Sequence, residues 1–105
     1  MINNKICSEH QKRAINKIPG MVNLLSKRPD MFSLGVWPTY FKKAKGVKVW
    51  DLDGNQYIDM SIAGIGANVL GYCDQDVNEA VMEVILSGNS SSLNGPEEVE
   101  LAELL

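Results

Sequence analysis

The fold of this chain is decided by residues 50–59, which read WDLDGNQYID. Asp53-Gly54 lies between two short runs rich in Val, Trp, Tyr and Ile. A tight turn between two strands needs positive φ, and glycine adopts positive φ without steric cost. The stretch therefore predicts a β-hairpin with strands over residues 47–51 and 56–60 and a turn at Asp53-Gly54.

A third strand is predicted before this hairpin. Residues 38–44 would pair with residues 47–51 after a turn at Lys45-Gly46, which makes the sheet a three-stranded antiparallel meander. The lysines at positions 42, 43, 45 and 48 fall on both faces of this sheet. Lysine on an exposed strand also prevents edge pairing with another chain, so we interpret these residues as a solvated edge.

The N-terminal arm contains one predicted helix. Ser8 and, three positions later, Gln11 form a capping box that begins a helix over residues 8–18. The Pro-Gly pair at residues 19–20 ends it. Residues 19–36 show no clear period, and we interpret them as an ordered arm with loops.

Two more helices are predicted after the sheet. Residues 76–87 carry apolar side chains at helical spacing, with Asp76 as the cap and Gly88 as the stop. A last helix begins at Gly95-Pro96, and no capping signal closes it. We therefore expect the chain to be the first part of a longer protein, with a small complete domain as the alternative.

Residues 61–71, SIAGIGANVLG, are small and apolar and contain three glycines. A backbone of this kind can approach a ligand or another chain closely. A tightly packed connection inside the core is the alternative interpretation. The residues alone leave both interpretations open.

Length and composition are those of one globular domain. The chain has 105 residues, 45% of them hydrophobic and 22% charged. It contains no apolar run that could span a bilayer and no signal-peptide core, so we predict a cytoplasmic protein without a membrane partner. Cys7 and Cys73 lie far apart, and we expect thiols rather than a disulfide in that compartment.

Charge is distributed unevenly along the chain. Residues 1–48 contain all ten Lys and Arg residues and two acids, for a net charge of +8, whereas residues 49–105 carry −11. A basic half can bind nucleic acid, but such sites interleave aromatic side chains for base stacking. No such row occurs among the lysines. We therefore predict no nucleic-acid partner.

No metal site or hydrolytic triad is predicted. An EF-hand calcium loop needs Gly at position 6 and Glu at position 12. Counted from Asp51, Gly54 stands at position 4 and Ile62 at position 12, so the loop does not fit. The side chains of Asp51, Asp53 and Asp59 are expected instead to form hydrogen bonds in the turn and at the strand ends. His10 is the only histidine, and no G-x-S-x-G elbow is present.

Four motifs occur in an order that is similar to one known family. Residues 44–59 read AKGVKVWDLDGNQYID, residues 19–23 read PGMVN, residues 64–71 read GIGANVLG and residues 101–104 read LAEL. Together they resemble the N-terminal part of class III aminotransferases, which use pyridoxal 5′-phosphate (PLP). Within that family they are most similar to the glutamate-1-semialdehyde 2,1-aminomutase branch.

The resemblance implies an α+β N-terminal segment of a fold-type-I PLP-dependent transferase, an α/β fold. It implies three parts: a helix and arm over residues 1–36, the meander over 37–60, and over 61–105 a pocket segment with the truncated start of the large PLP domain. It also implies a homodimer with the active site at the subunit interface. There the cofactor serves as electron sink while an amino group moves on a small amino or carbonyl substrate.

The resemblance also implies candidate site residues. Lys27 stands where the aminomutase branch has an arginine for the substrate carboxylate. It keeps the positive charge but cannot make the bidentate contact that a guanidinium makes. Ala63 and Gly64 would line the substrate pocket. Ser91 and Ser92 would bind the cofactor phosphate of the partner subunit near the dimer interface.

Two functional interpretations follow. In the first, the whole protein is a PLP-dependent aminotransferase or aminomutase, and this segment contributes no catalytic residue. No lysine follows Lys48, so the segment alone is expected to be inactive. The family's His-x-His-Pro is replaced by residues 72–75, YCDQ, which leaves a related transferase substrate open. In the second interpretation, the chain is a non-catalytic interaction or dimerisation module.

Overall fold

The computed structural model describes residues 2–105. The chain divides into two compact units, the first ending at Asp74 and the second running from Gln75 to Leu105. The first unit contains one α-helix, two short 3₁₀ helices at Leu25–Lys27 and Pro29–Met31, a three-stranded sheet and the small-residue segment. The second contains two helices. The three-part division at residues 36 and 60 stays a prediction.

Helix α1 spans Lys5–Ile15 and therefore begins and ends three residues before the predicted bounds of 8 and 18. Ser8 lies inside this helix, since its backbone N–H donates to the carbonyl oxygen of Asn4 at 3.1 Å. The capping-box prediction is wrong. The cap comes instead from Asp53, a side chain 46 residues away from Cys7 in the sequence, which no local pattern reveals.

The sheet is the predicted antiparallel meander. A bulge shifts the pairing of the first two strands, so that Phe41 pairs with Asp51 and Lys43 pairs with Trp50. All three strands are shorter than predicted. The strands are β1 at Phe41–Lys45, β2 at Lys48–Asp51 and β3 at Gln56–Ile58, in the order β1-β2-β3.

The turn of the hairpin confirms the prediction for residues 50–59. Gly54 has a φ of +89°, and its N–H donates to the carbonyl oxygen of Asp51 at 3.2 Å. The Asp51 side chain is only 2% exposed. Its carboxylate accepts the backbone N–H of Asn55 at 2.8 Å and the hydroxyl of Tyr57 at 2.9 Å. Asp51 thus serves the turn, as the sequence predicts.

The first unit has a small core that includes two residues of α1. Cys7 and Ala14 of α1 are buried, and the Cys7 thiol donates to the carbonyl oxygen of Tyr40 at 3.6 Å. Burial raises the pKa of this thiol, so it stays protonated and packs as a small apolar group. On the sheet, the Lys43 ammonium lies 4.4 Å from the centroid of the Trp50 ring.

The second unit consists of α2 and α3. Asp76 lies in the first turn of α2 rather than at its cap, so the predicted cap is wrong. Gly88 closes α2 as predicted, with its N–H donating to the carbonyl oxygen of Ile85 at 3.2 Å. Helix α3 follows Pro96, with acidic residues in its first turn. The helices are α2 at Gln75–Ser87 and α3 at Glu97–Leu104.

Candidate functional site

The small-residue segment contains a left-handed turn. Ala63, Gly64, Ile65 and Gly66 have φ values of +44°, +69°, +62° and +78°. The N–H of Gly66 donates to the carbonyl oxygen of Ile62 at 2.8 Å, which closes the turn. A left-handed conformation costs a non-glycine residue about 1–2 kcal/mol, and two such residues carry it here. Strain of this kind persists where the surroundings enforce it, often at functional sites.

Asn68 holds the turn from its C-terminal side. Its backbone N–H and its side-chain amide both donate to the carbonyl oxygen of Ala63, at 3.2 and 3.3 Å. A Cβ atom at position 64 would lie 3.0 Å from that side-chain amide. Position 64 therefore favours glycine for two reasons, its positive φ and the close approach of Asn68.

The turn is open to solvent within the first unit. Ile65 is 72% exposed and Val69 is 88% exposed, and Gly64 is exposed as well. A tightly packed core connection does not describe this segment of the first unit. Its exposed backbone and apolar side chains form a surface that a ligand or another part of a protein can approach.

Both ends of the segment are tied to the meander. The backbones of Gly46 and Tyr72 exchange two hydrogen bonds, at 2.7 and 2.9 Å. The Tyr72 hydroxyl donates to one carboxylate oxygen of Asp59 at 2.5 Å, and the N–H of Ser61 donates to the other at 2.8 Å. One carboxylate thus contacts residues at both ends of the segment.

The electrostatics of Tyr72 and Asp59 favour a protonated hydroxyl as the donor and a charged carboxylate as the acceptor. Hydrogen bonds from Ser61 and then from Tyr72 lower the pKa of Asp59. The same bond to Asp59, together with burial, raises the pKa of Tyr72. At neutral pH a neutral hydroxyl therefore donates to a carboxylate, which makes a charge-assisted hydrogen bond.

The sequence indicates only half of this pair. Asp59 is predicted to hydrogen-bond at the end of a strand, and its bond to the N–H of Ser61 confirms that. Tyr72 is not singled out by any pattern, because its partner lies 13 positions away. It stands where the resembled family has the first histidine of His-x-His-Pro, which is the one signal that points to it.

Lys27 lies at the end of a short 3₁₀ helix, Leu25–Lys27, and is exposed. Among residues 2–105, no hydrogen bond or ion pair joins it to the left-handed turn. The neighbouring Arg28 does contact a carboxylate in the two-pronged manner. Its Nε donates to Asp30 at 3.1 Å and its Nη2 at 2.5 Å.

Ser91 and Ser92 lie in the exposed loop between α2 and α3 of the second unit. The Ser91 hydroxyl donates to the carbonyl oxygen of Leu93 at 2.9 Å and accepts the N–H of Leu93 at 3.0 Å. It therefore shapes a local turn. The part of the chain that the structure describes contains no group of three or more side chains placed to hold a metal ion.

Comparison with protein families gives one match over most of the chain. Residues 33–105 match the model described as aminotransferase class-III. Two curated relatives are both named glutamate-1-semialdehyde 2,1-aminomutase. The protein of Aquifex aeolicus is 38% identical over 94 residues, which cover 90% of this chain and 22% of that protein. The protein of Geotalea daltonii is 40% identical over 94 residues, which cover 90% and 21%.

Solved structures share the fold. The FumI protein of Sphingopyxis sp. MTA144, in a PLP form, matches with a TM-score of 0.81 and 28% identity over 92% of this chain and 23% of that chain. An omega-transaminase from Sphaerobacter thermophilus matches with a TM-score of 0.78 and 26% identity over 93% and 21%. The chain therefore spans about a fifth of the length of the curated relatives and solved structures that it matches.

Proposed function

Because the chain belongs to the class III aminotransferase family, we propose that the whole protein, at the length of its relatives, moves an amino group on a small amino or carbonyl substrate. One observation carries this proposal, the match of residues 33–105 to the family model. Pyridoxal phosphate is the cofactor of this family, and when bound it supplies the electron sink for amino transfer. The relatives do not favour the interaction-module alternative.

Within this proposal, the left-handed turn faces the substrate. The support is its geometry: the strained backbone is half-exposed at Ala63 and exposed at Gly64, and the segment is held from both ends. Lys27 would attract the carboxylate of the substrate as a point charge. Neither role needs the residue to take part in bond making.

The residues of this chain do not fit covalent attachment of the cofactor. A Schiff-base lysine is activated by desolvation or by a neighbouring cation. Every lysine in residues 2–105 is exposed, and no buried amine is present among them. We therefore derive no step through the cofactor. We propose that the chain of 105 residues alone is inactive and forms no stoichiometric lysine adduct with PLP on borohydride reduction.

The serine loop has a separate proposed role. Ser91 holds the loop through Leu93, while Ser92 is exposed and leaves its hydroxyl available for an anion. We propose that this loop contacts the cofactor phosphate of the partner subunit in a homodimer.

The structure contains no helix in residues 2–105 that is long and apolar enough to cross a membrane. We propose a cytoplasmic homodimer without nucleic-acid partners.

The test separates a mutase from a transferase. A mutase returns the amino group to a neighbouring carbon of the same molecule, whereas a transferase delivers it to a second carbonyl compound. The whole protein, loaded with PLP, is incubated with glutamate-1-semialdehyde alone, and in parallel with β-phenylalanine or L-glutamate plus pyruvate. Isomerisation without an acceptor indicates a mutase, and alanine formation indicates a transferase. Absence of both reactions in protein that binds PLP would contradict the proposal.

A further inference from the structure

The left-handed turn lies within a loop whose two ends meet at one side chain. Asp59 stands just after β3 and accepts the N–H of Ser61, at the start of the loop. Tyr72 stands at the end of the loop and donates its hydroxyl to the same carboxylate at 2.5 Å. Both ends of the loop of residues 60–71 therefore form a hydrogen bond with the same carboxylate.

The backbone alone brings the far end of the loop to the sheet. Gly46 and Tyr72 pair as an isolated antiparallel bridge. Gly71 permits this approach, because a Cβ atom there would lie 3.1 to 3.3 Å from backbone atoms of Gly46. The bridge fixes where the loop ends. The Tyr72 hydroxyl adds a second restraint at this end, a side-chain contact that joins it to Asp59 at the start of the loop.

The strained turn needs such a contact. Ala63 and Ile65 hold positive φ, although both are non-glycine residues. The loop is largely exposed in the first unit, so packing supplies little restraint. Its restraints include backbone hydrogen bonds such as the one that closes the turn, the side-chain bond of Asn68 within the loop, and the bond of Tyr72 to Asp59 across its base. Strained backbone persists only where the surroundings over-determine it.

We propose that Tyr72, through its hydroxyl and Asp59, is a positioning residue that keeps the turn at Ala63 and Gly64 preformed for substrate. The proposal rests on the proposed function for the role of the turn. The hydroxyl touches no reacting atom. It acts by lowering the ordering cost that a flexible loop would otherwise add to substrate binding. The expected signature is thus a rise in KM with little change in kcat.

The experiment compares two tyrosines in the whole PLP-loaded protein. Tyr72→Phe removes only the hydroxyl that donates to Asp59. Tyr57→Phe is the matched control, since it removes a hydroxyl that donates to the carboxylate of Asp51 at 2.9 Å, outside the loop. Hydrogen–deuterium exchange is measured for the backbone amides of residues 61–71. KM and kcat are measured with whichever of glutamate-1-semialdehyde or β-phenylalanine the wild-type protein converts.

Tyr72→Phe is expected to speed exchange in residues 61–71 about tenfold and to raise KM by a similar factor, as loss of one hydrogen bond to a charged group implies. Tyr57→Phe should leave both unchanged for this loop. Unchanged exchange in Tyr72→Phe would overturn the proposal. Faster exchange with unchanged KM would overturn it too, because the hydrogen bond would then order the loop without affecting substrate binding.

Failure of the proposed function gives a different result. A wild-type protein that binds PLP but converts neither substrate contradicts amino transfer, whatever the exchange rates are. Asp59→Asn provides a second variant, because asparagine keeps an acceptor for the N–H of Ser61 and loses the charge that strengthens the bond from Tyr72. It should speed exchange less than Tyr72→Phe. Exchange as slow as in the wild type would again overturn the role of the pair.

Discussion

Asp53 caps helix α1 from the hairpin turn, with one carboxylate oxygen on each of two consecutive amides. The N–H of Ile6 donates to its Oδ1 at 2.8 Å, and the N–H of Cys7 donates to its Oδ2 at 2.9 Å. The first amides of a helix have no partner within the helix, and the helix dipole favours a negative charge beside them. The turn that makes the hairpin therefore also fastens the N-terminal arm.

Removing this cap should loosen α1. In Asp53→Ala the amides of Ile6 and Cys7 lose their acceptors, so exchange over residues 4–10 of the whole protein should become faster. Asp53→Asn keeps one acceptor oxygen and should give an intermediate rate. Asp76→Asn, in the first turn of another helix, is the matched control and should leave residues 4–10 unchanged. Equal rates in Asp53→Ala and the wild type would show that packing alone holds α1.

The fold should become less stable in acid, because carboxylates of the meander become protonated. Burial of Asp51 opposes its charge, but hydrogen bonds from Asn55 and Tyr57 outweigh burial and lower its pKa below the ordinary 3.8. A lowered pKa in the folded state stabilises the fold above the unfolded value. That contribution is lost as the pH falls through the folded value.

Urea unfolding at several pH values from about 6 to about 3 measures this effect. The difference in unfolding free energy between the wild type and Asp51→Asn should be largest at the upper end and should shrink as the pH falls. A difference that does not depend on pH would show that the charge of Asp51 contributes nothing.

Gly71 should tolerate alanine less well than Gly35 does. Both have positive φ, +93° and +81°, so alanine costs each about 1–2 kcal/mol in backbone strain. A Cβ atom at position 35 has no neighbour within 4 Å, whereas one at position 71 meets the backbone of Gly46. Gly71→Ala should therefore cost about 1–3 kcal/mol more. Thermal unfolding of the two variants measures the difference, and equal losses would contradict the close approach.

Lys27 offers a test of the proposed carboxylate role. Lys27→Ala should raise KM for a carboxylate-bearing substrate about tenfold with little change in kcat, as loss of one charged contact implies. Lys17→Ala changes the net charge equally, away from the short 3₁₀ helix, and should leave KM unchanged. If both variants raise KM alike, the effect is one of overall charge rather than a contact of Lys27.

The sequence predicts the elements of this chain better than their connections. The Asp53-Gly54 turn and the two strands on either side of it follow from local chemistry that residues 47–60 contain in full. The start of α1 does not, because its cap comes from a residue in another element. For the same reason the small residues of segment 61–71 are recognisable by composition as a backbone that can be approached closely, and the family resemblance adds Ala63 and Gly64 as site candidates, whereas Tyr72 is not singled out. The role of Tyr72 depends on its hydrogen bond to Asp59, which lies 13 residues earlier and meets Tyr72 only when the loop between them has folded.

Asp53 lies 46 residues after Cys7, whose amide it caps, and this separation affects the order of folding during synthesis. Its amide partners at Ile6 and Cys7 leave the ribosome first, and the carboxylate follows 46 residues later. Until then α1 is short, without a cap and at the limit of what holds a helix in water. Chains fold from the N-terminus as they emerge, at about 5–20 residues per second. The arm must therefore wait several seconds for the hairpin, and translation speed through this stretch sets how long its apolar face stays uncovered.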